Sequence, residues 1–351
     1  MELTSLDAAM TFSPETPLPT GKLPPELLDR MLKRLPTRDS QVRLGPGIGL
    51  DCAVIEMGDR LWVVKSDPIT FATDEIGWYL LQVNANDIAT TGARPRWLMA
   101  TFLLPEGKTT PALVDELAAQ LAAACEAAGV SVIGGHSEIT AGLERPIAMG
   151  TLIGEVAAER LVTPLGIRPG DRVLLTKGVP IEATAILARE LPGRLSAVLS
   201  REEIEQAQNY LFDPGISVLR DAQIACAAGQ VSAMHDPTEG GVLTALWELA
   251  QAGSCRLRVD PQAILIPDLA CRVCAAFGVD PLAAIASGAL LVAAPDGESE
   301  KIIRALEVEG ILCAEIGRAE AGSPGVIDAT SGELLPHPAR DEIARVFEAQ
   351  S

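Results

Sequence analysis

Aromatic side chains are scarce in this sequence, where Phe, Trp and Tyr together make up 3% of the 351 residues. A core without many large rings must be filled by smaller apolar side chains, because protein interiors are closely packed. Hydrophobic residues account for 48% of the chain and charged residues for 21%, which is typical of a globular protein rather than a disordered one. We therefore expect a core of Ala, Leu, Val and Ile.

Basic residues are few relative to acidic ones. The chain has 28 Lys and Arg against 47 Asp and Glu, which gives a formal charge of −19. Such a charge disfavours binding to the phosphate backbone of nucleic acids and to anionic membrane surfaces. We expect neither nucleic acid nor a membrane among the partners.

The sequence also lacks long apolar runs and a secretion signal. Its most apolar stretches, 117–135 and 283–295, are interrupted by polar residues or are too short to cross a bilayer. The N-terminus has neither the basic start nor the apolar stretch of a signal peptide. We expect a cytoplasmic protein.

The cysteines do not form the pattern of a disulfide framework, because they number seven and are scattered along the chain. Cys271 and Cys274 have the spacing of a metal or redox pair. They lack a second pair and a neighbouring histidine, which favours two small apolar residues on a helix face.

The order of elements indicates an α/β (α+β) protein. Predicted strands alternate with predicted helices, and closely spaced strand pairs at 52–65 and 131–154 argue against a purely parallel sheet. The length suits about two domains, and 157–171 is rich in Pro, Gly and mixed charge, as linkers are. The predicted organisation is an extended segment 1–21, an N-terminal domain 22–156, a linker 157–171, a C-terminal domain 172–335 and a tail 336–351.

Short carboxylates stand at the ends of several predicted elements. Asp51 starts one strand, Asp67 ends the next, Asp87 lies on a helix over 75–91 beside Asn84, and Asp236 follows a later strand. Hard oxygen ligands from separate elements are what a Mg²⁺–triphosphate site requires. The polar cluster on the helix needs partners, and a ligand or Mg²⁺ would supply them.

Asp236 also has a purely structural interpretation. In the order Asp236, Pro237, Thr238, Glu239, the aspartate can cap a helix, the proline suits its first position, and the glutamate can close a capping box. The two interpretations are compatible, because Gly240 and Gly241 just inside a helix would leave N–H donors open to an anion.

Glycine-rich segments offer further candidates for phosphate contacts. Gly47 and Gly49 belong to LGPGIGLD, which is neither a P-loop nor a dinucleotide fingerprint and equally suits a flexible turn. Gly134 and Gly135 precede His136 at a predicted strand end. His136 could be a general base or a phosphate contact, and an ordinary structural histidine is equally compatible with the pattern.

Taken in order, these motifs resemble the PurM-like superfamily, which includes aminoimidazole ribonucleotide synthetase, thiamine-monophosphate kinase, selenophosphate synthetase and the hydrogenase-maturation protein HypE. The matching segments, within about 22–335, are GIGLDCAVI, KSDPIT, VNANDIATTGARP, IGGHSE, LTKG, HDPTEGGV and SGALLVA. The subgroup of AIR synthase-related or HypE-like proteins is the most similar.

The resemblance implies a two-domain PurM-like fold with mixed or antiparallel sheets, N-terminal domains that pair in a homodimer, and ATP bound with Mg²⁺. The implied metal ligands are Asp51, Asp67, Asp87 and Asp236. The implied nucleotide contacts are Gly47, Gly49, Asn84, Gly134, Gly135, Thr238, Gly240 and Gly241. The catalytic candidates are His136 and, from the LTKG segment, Lys177.

The chain departs from HypE at four points. Leu50 stands where an acid precedes the aspartate, while Glu138 and Ser287 stand where HypE has a lysine and a glutamate, and no cysteine follows Cys313. Three hypotheses follow: an ATP-using enzyme that phosphorylates or dehydratively activates a small-molecule or protein-borne substrate, a nucleotide-binding accessory protein for a maturation partner, and a small-molecule kinase of the thiamine-monophosphate kinase type. The acceptor is not identified by these motifs.

Overall fold

Two six-stranded sheets organise the chain. The computed structural model describes residues 17–18, 22–37, 39–70 and 74–348. The extended segment predicted for 1–21 therefore lies almost wholly outside the described residues, as does the end of the predicted tail.

The first sheet contains the strands β1 (Val42–Leu44), β2 (Ala53–Met57), β3 (Arg60–Ile69), β4 (Arg94–Pro105), β5 (Ser131–Thr140) and β6 (Ile147–Val156). Their order is β1-β2-β3-β6-β4-β5. Only the β4–β5 pair is parallel. The helices of this half are α1 (Pro25–Leu32), α2 (Ile76–Thr90) and α3 (Pro111–Ala128).

Local sequence signals determine the ends of α3. The Thr110 hydroxyl accepts a hydrogen bond from the Leu113 N–H at 3.3 Å, and Gly129 ends the helix in the left-handed conformation, with φ of 65°. A threonine cap and a terminal glycine satisfy backbone groups that the helix leaves free. The sequence signals at both ends therefore agree with the observed helix.

The second sheet contains the strands β7 (Arg172–Thr176), β8 (Ala233–His235), β9 (Arg256–Val259), β10 (Leu291–Ala294), β11 (Cys313–Glu320) and β12 (Gly325–Asp328). Their order is β12-β9-β11-β7-β10-β8, and only β9 and β12 run parallel. The helices are α4 (Ile181–Glu190), α5 (Pro192–Leu195), α6 (Arg201–Gln208), α7 (Leu219–Ala228), α8 (Gly241–Ala252), α9 (Asp268–Phe277), α10 (Asp296–Val308) and α11 (Glu342–Glu348). The expected mixed α/β class is confirmed.

The two halves are joined by polar and apolar contacts. Asn86 of α2 donates its side-chain N–H to the Ile216 carbonyl at 2.7 Å and accepts the Val218 N–H at 2.8 Å. The largest hydrophobic cluster contains residues of both halves. Between the sheets, 157–171 forms two short 3-10 turns, Ala158–Arg160 and Pro164–Gly166; the proposed domain limits stay a prediction.

None of the helices in the described parts of the chain is long and apolar enough to span a membrane. All seven cysteines are free. Cys271 and Cys274 lie on α9, with the former exposed and the latter buried.

Candidate functional site

A cavity of about 290 Å³ lies between the two halves. Helix α2 runs along it, because Tyr79, Val83 and Asp87 all line the cavity and are spaced four residues apart on one helix face. Tyr79 and Asp87 are about 12 Å apart along the helix axis. The cavity therefore has a charged end at Asp87 and a second end at Tyr79.

Lys65 is the centre of the charged end. Its Nζ atom lies 2.8 Å from Oδ2 of Asp87, 3.2 Å from Oδ2 of Asp67 and 4.0 Å from Oδ1 of Asp51. Lys65 and Asp67 are two residues apart on β3, so both face α2. Sequence reasoning identified the three aspartates and missed the lysine, although the two-residue spacing in KSDPIT was a signal for it.

Asp236 adds a fourth carboxylate to this end. It is 1% exposed, and neither of its carboxylate oxygens has a hydrogen-bond partner among the described residues. Burial and the neighbouring Asp87 raise the pKa of Asp236 well above its ordinary value. Burial also raises the pKa of Asp87 to about 6, against the attraction of Lys65. The charged end thus holds more carboxyl groups than one lysine can pair with.

These carboxylates fit a hard divalent cation. Mg²⁺ prefers oxygen ligands and usually takes only a few carboxylates from the protein, and the unpartnered oxygens of Asp236 provide such ligands. In the part of the chain that the structure describes, no group of three or more Asp, Glu, His or Cys side chains already forms a metal cluster. The ammonium of Lys65 takes the place where three of the carboxylates meet.

Two further side chains connect this end to the second half. His235 lies 2.9 Å from Glu248 through Nε2 and 3.6 Å from Asp51 through Nδ1. Burial alone would lower the pKa of His235, but these two carboxylates raise it to about 9, so the ring is an imidazolium at neutral pH. Lys22 places its Nζ 3.4 Å from the Thr238 hydroxyl. Sequence reasoning gave neither His235 nor Lys22 a role in the site.

The Asn84 side chain forms hydrogen bonds with backbone groups of the site. Its Oδ1 accepts the Asp67 N–H at 2.9 Å, and its Nδ2 donates to the Leu80 carbonyl at 2.8 Å. A Cβ at Gly150 would lie only 2.7 Å from that Nδ2, so glycine is required for this close approach. The amide predicted to contact a nucleotide therefore positions Asp67.

The expected helix start at Asp236 is wrong. Helix α8 begins at Gly241, after Gly240 in a left-handed conformation with φ of 79°. The segment before it is a loop, and within the described ranges no backbone N–H donates to the Asp236 carboxylate, so it does not cap the helix.

The backbone donors of the two glycines at this helix start already have protein acceptors. The Gly240 N–H donates to Oδ2 of Asp341 at 2.6 Å. The Gly241 N–H donates to the Thr238 carbonyl at 2.9 Å. An anion could use the Gly240 donor only by displacing Asp341, a residue of the C-terminal tail that sequence reasoning did not single out.

Gly47 and Gly49 shape the turn that leads to Asp51 but do not line the cavity. Gly47 and Leu50 form an isolated bridge, and Gly49 has φ of 71°. Leu50 packs against Gly47, where a Cβ would lie 2.8 Å from Cδ1 of Leu50.

Four other predicted residues lie away from this cavity within one chain. Gly134, Gly135 and His136 are on β5, an edge strand separated from β3 by β6 and β4, or about 14 Å at ordinary strand spacing. His136 is exposed and contacts Glu138 at 3.1 Å. Lys177 donates to the Ser217 carbonyl at 2.6 Å, and its Nζ lies 3.3 Å from Asp221.

The chain is similar to known proteins both in its family-model matches and in its sequence. The family model "AIR synthase related protein, N-terminal domain" matches residues 49–156, and the model of the C-terminal domain matches 168–329. The carbamoyl dehydratase HypE of Rhodobacter capsulatus is 28% identical over 339 residues, covering 90% of this chain and 95% of that protein. A hydrogenase expression/formation protein of Methanocaldococcus jannaschii is 27% identical, and the match covers 93% of this chain and 97% of that protein.

Solved structures show the same fold. A complex of AaThiL with AMPPCP and TMP superposes with a TM-score of 0.69 at 20% identity, covering 90% of this chain and 94% of that one. HypE in complex with ATP superposes with a TM-score of 0.67 at 23% identity, covering 88% of this chain and 94% of that one. HypE in its complex with HypF superposes with a TM-score of 0.70 at 18% identity, covering 89% of this chain and 99% of that one. The two-domain PurM-like fold expected from the motifs is confirmed.

Proposed function

Because the chain belongs to the AIR synthase related protein family, we propose that it is an ATP-using enzyme that phosphorylates or dehydratively activates a small-molecule or protein-borne substrate. The observation that carries the proposal is the group of three aspartates around Lys65 in the cavity between the halves, with Asp236 buried beside Asp87. Relatives that share the fold are named as carbamoyl dehydratases, and one structure holds ATP.

We infer that the nucleotide binds with Mg²⁺, held by Asp51, Asp67, Asp87 and Asp236. The ion would neutralise phosphate charge, which carries much of the rate in phosphoryl transfer. The protein's own cations contribute as well, since Lys65 and Lys22 both line the cavity and can contact phosphate oxygens. His235 holds Asp51 in place and Asn84 holds the backbone of Asp67.

Binding of MgATP, measured by calorimetry, tests this proposal. We expect Asp87→Asn to weaken MgATP binding at least tenfold while the fold stays intact by circular dichroism. The matched control is Asp115→Asn, because Asp115 is an exposed residue of α3 away from the cavity. Unchanged affinity in Asp87→Asn would place the nucleotide elsewhere. Failure of the wild type to bind ATP or release ADP with any substrate class would refute the enzyme function.

An accessory role is the second candidate. Leu50, Glu138 and Ser287 replace residues that HypE uses, and a HypE structure was determined in complex with HypF. This alternative predicts MgATP binding with little turnover and a stable complex with a maturation partner protein. Rapid substrate-dependent turnover by the isolated chain would argue against it.

We also propose that a second copy of the chain covers the outer face of the first sheet. Met99 and Met149 are 46% and 41% exposed there, and the rings of Trp62 and Trp97 pack 5.6 Å apart. Apolar exposure of this kind marks an interaction surface. The edge strand β5 is exposed along almost its whole length.

A cytoplasmic location is part of the same proposal. Its support is the set of seven free cysteines, because thiols persist where the compartment is reducing.

A further inference from the structure

The second end of the cavity holds two buried polar atoms without partners. Glu182 of α4 and Tyr79 of α2 are 4% and 2% exposed. Within the described part of the chain, neither Oε2 of Glu182 nor the hydroxyl of Tyr79 has a hydrogen-bond partner. Leaving a buried polar group unpaired is energetically costly. Because both residues line the cavity, a bound molecule could satisfy both atoms.

The surroundings of these atoms are apolar. Val83, Ile186 and Ile285 line the same cavity, and Ile186 lies one turn after Glu182 on α4. Ser287 forms hydrogen bonds to Glu182, which orient the carboxyl group. A few polar groups among apolar walls are the usual composition of a small-molecule subsite.

The charges around this end select against an anion. Glu239 and Asp341 are close enough to Glu182 to raise its pKa, after burial, to about 7. Among the described lining residues the cations are Lys22 and Lys65, and both are paired with carboxylates at the charged end. A carboxylate or phosphate placed beside Glu182 would be desolvated without a counter-ion, whereas a nitrogen donor would be stabilised.

We propose that Glu182 and Tyr79 form the subsite that recognises the acceptor substrate, and that this acceptor presents an amine, amidine or amide N–H group on an apolar frame. Glu182 accepts the N–H hydrogen bond, the Tyr79 hydroxyl contacts the adjoining polar atom, and Ser287 positions Glu182. The proposal rests on the proposed function, because it assigns the opposite end of the cavity to the triphosphate.

The test compares three probes of similar shape and different charge: benzamidine, benzamide and benzoate. Binding to the full-length protein is measured by saturation-transfer NMR and titration, with and without MgATP. We expect benzamidine and benzamide to bind and benzoate not to bind. Glu182→Gln is expected to lower the affinity for benzamidine at least tenfold. The control Glu300→Gln, on the exposed surface of α10, is expected to leave this affinity unchanged.

Several outcomes would overturn the subsite. Benzoate binding as tightly as benzamidine would contradict it, as would equal benzamidine affinity in Glu182→Gln and wild type. Loss of MgATP affinity in Glu182→Gln would assign the residue to the nucleotide instead. If Glu182→Gln fails to fold, Tyr79→Phe replaces it, with at least a threefold loss of benzamide affinity expected and no loss refuting the proposal. Absence of ATP binding by the wild type would refute the proposed function, while the probes would still decide the subsite.

Discussion

The ammonium of Lys65 lies 2.8 Å from the carboxylate of Asp87, and both groups are almost completely buried between β3 and α2. Removing one partner of a buried ion pair leaves an uncompensated charge, which is far more costly than losing a surface pair. The lysine therefore stabilises a site whose acids would otherwise repel one another.

Lys65→Met should destabilise the protein by about 3 kcal/mol at pH 8. The loss should be smaller at pH 5, because Asp87, with a pKa raised to about 6, is then mostly protonated and needs no counter-ion. Urea denaturation at the two pH values measures this difference. The exposed pair partner Lys108 provides the control Lys108→Met.

Magnesium should compensate in part for the missing ammonium. We expect millimolar MgCl₂ to raise the melting temperature of Lys65→Met more than that of the wild type, because binding to the folded state stabilises it. An equal effect of MgCl₂ on both proteins would show that the aspartates do not bind the ion together.

Glu182→Gln should stabilise the protein at high pH. Burial raises the pKa of Glu182 from 4.5 to about 7. The carboxylate is therefore less stable in the folded protein than in the unfolded chain, and the free energy of unfolding falls as the pH rises through this range. At pH 8.5 the free energy of unfolding of the variant should exceed that of the wild type by about 1–3 kcal/mol. The difference should disappear toward pH 4.5, where both states bind the proton. A difference that does not vary with pH would indicate that the carboxyl is not buried as described.

Asn86→Ala should weaken the connection between the halves. The change removes two hydrogen bonds to the backbone around Ile216 and Val218 and leaves buried groups unpaired, at a cost of about 2 kcal/mol. Denaturation followed by calorimetry should show a lower midpoint and a broader transition. The control is Asn209→Ala, because Asn209 is exposed. An unchanged midpoint would mean that the apolar contacts alone hold the halves together.

Met149→Lys should disrupt pairing of two chains. Met149 lies on β6 between Pro68 and Thr101 on the outer face of the first sheet, so a dimer across this face would bury two lysines near each other. Light scattering coupled to size exclusion should show a dimer for the wild type and a shift to monomer for the variant. Val308→Lys, on a distant and 84% exposed side chain, should leave the mass unchanged.

Much of the fold was predictable because local signals agree with it. Thr110 and Gly129 delimit α3 as capping chemistry requires, and the alternating pattern of 52–65 yields the β2–β3 pair. Short elements without a periodic pattern were missed, such as β12 and α11. Their conformation depends on docking to distant residues, as β12 does on β9.

The sequence by itself determined the residue types of the site, since Asp51, Asp67, Asp87 and Asp236 stand on separate elements, at or near their ends. Only the tertiary structure decided how they are used. In the folded chain Lys65 lies among three of them, and His136 lies on a distant edge strand. Asp341 accepts the hydrogen bond of the Gly240 N–H. Among the described residues the fold also leaves Oε2 of Glu182 without a hydrogen-bond partner. Spacing along a chain specifies which face of an element a residue occupies, but distances between elements arise only from packing.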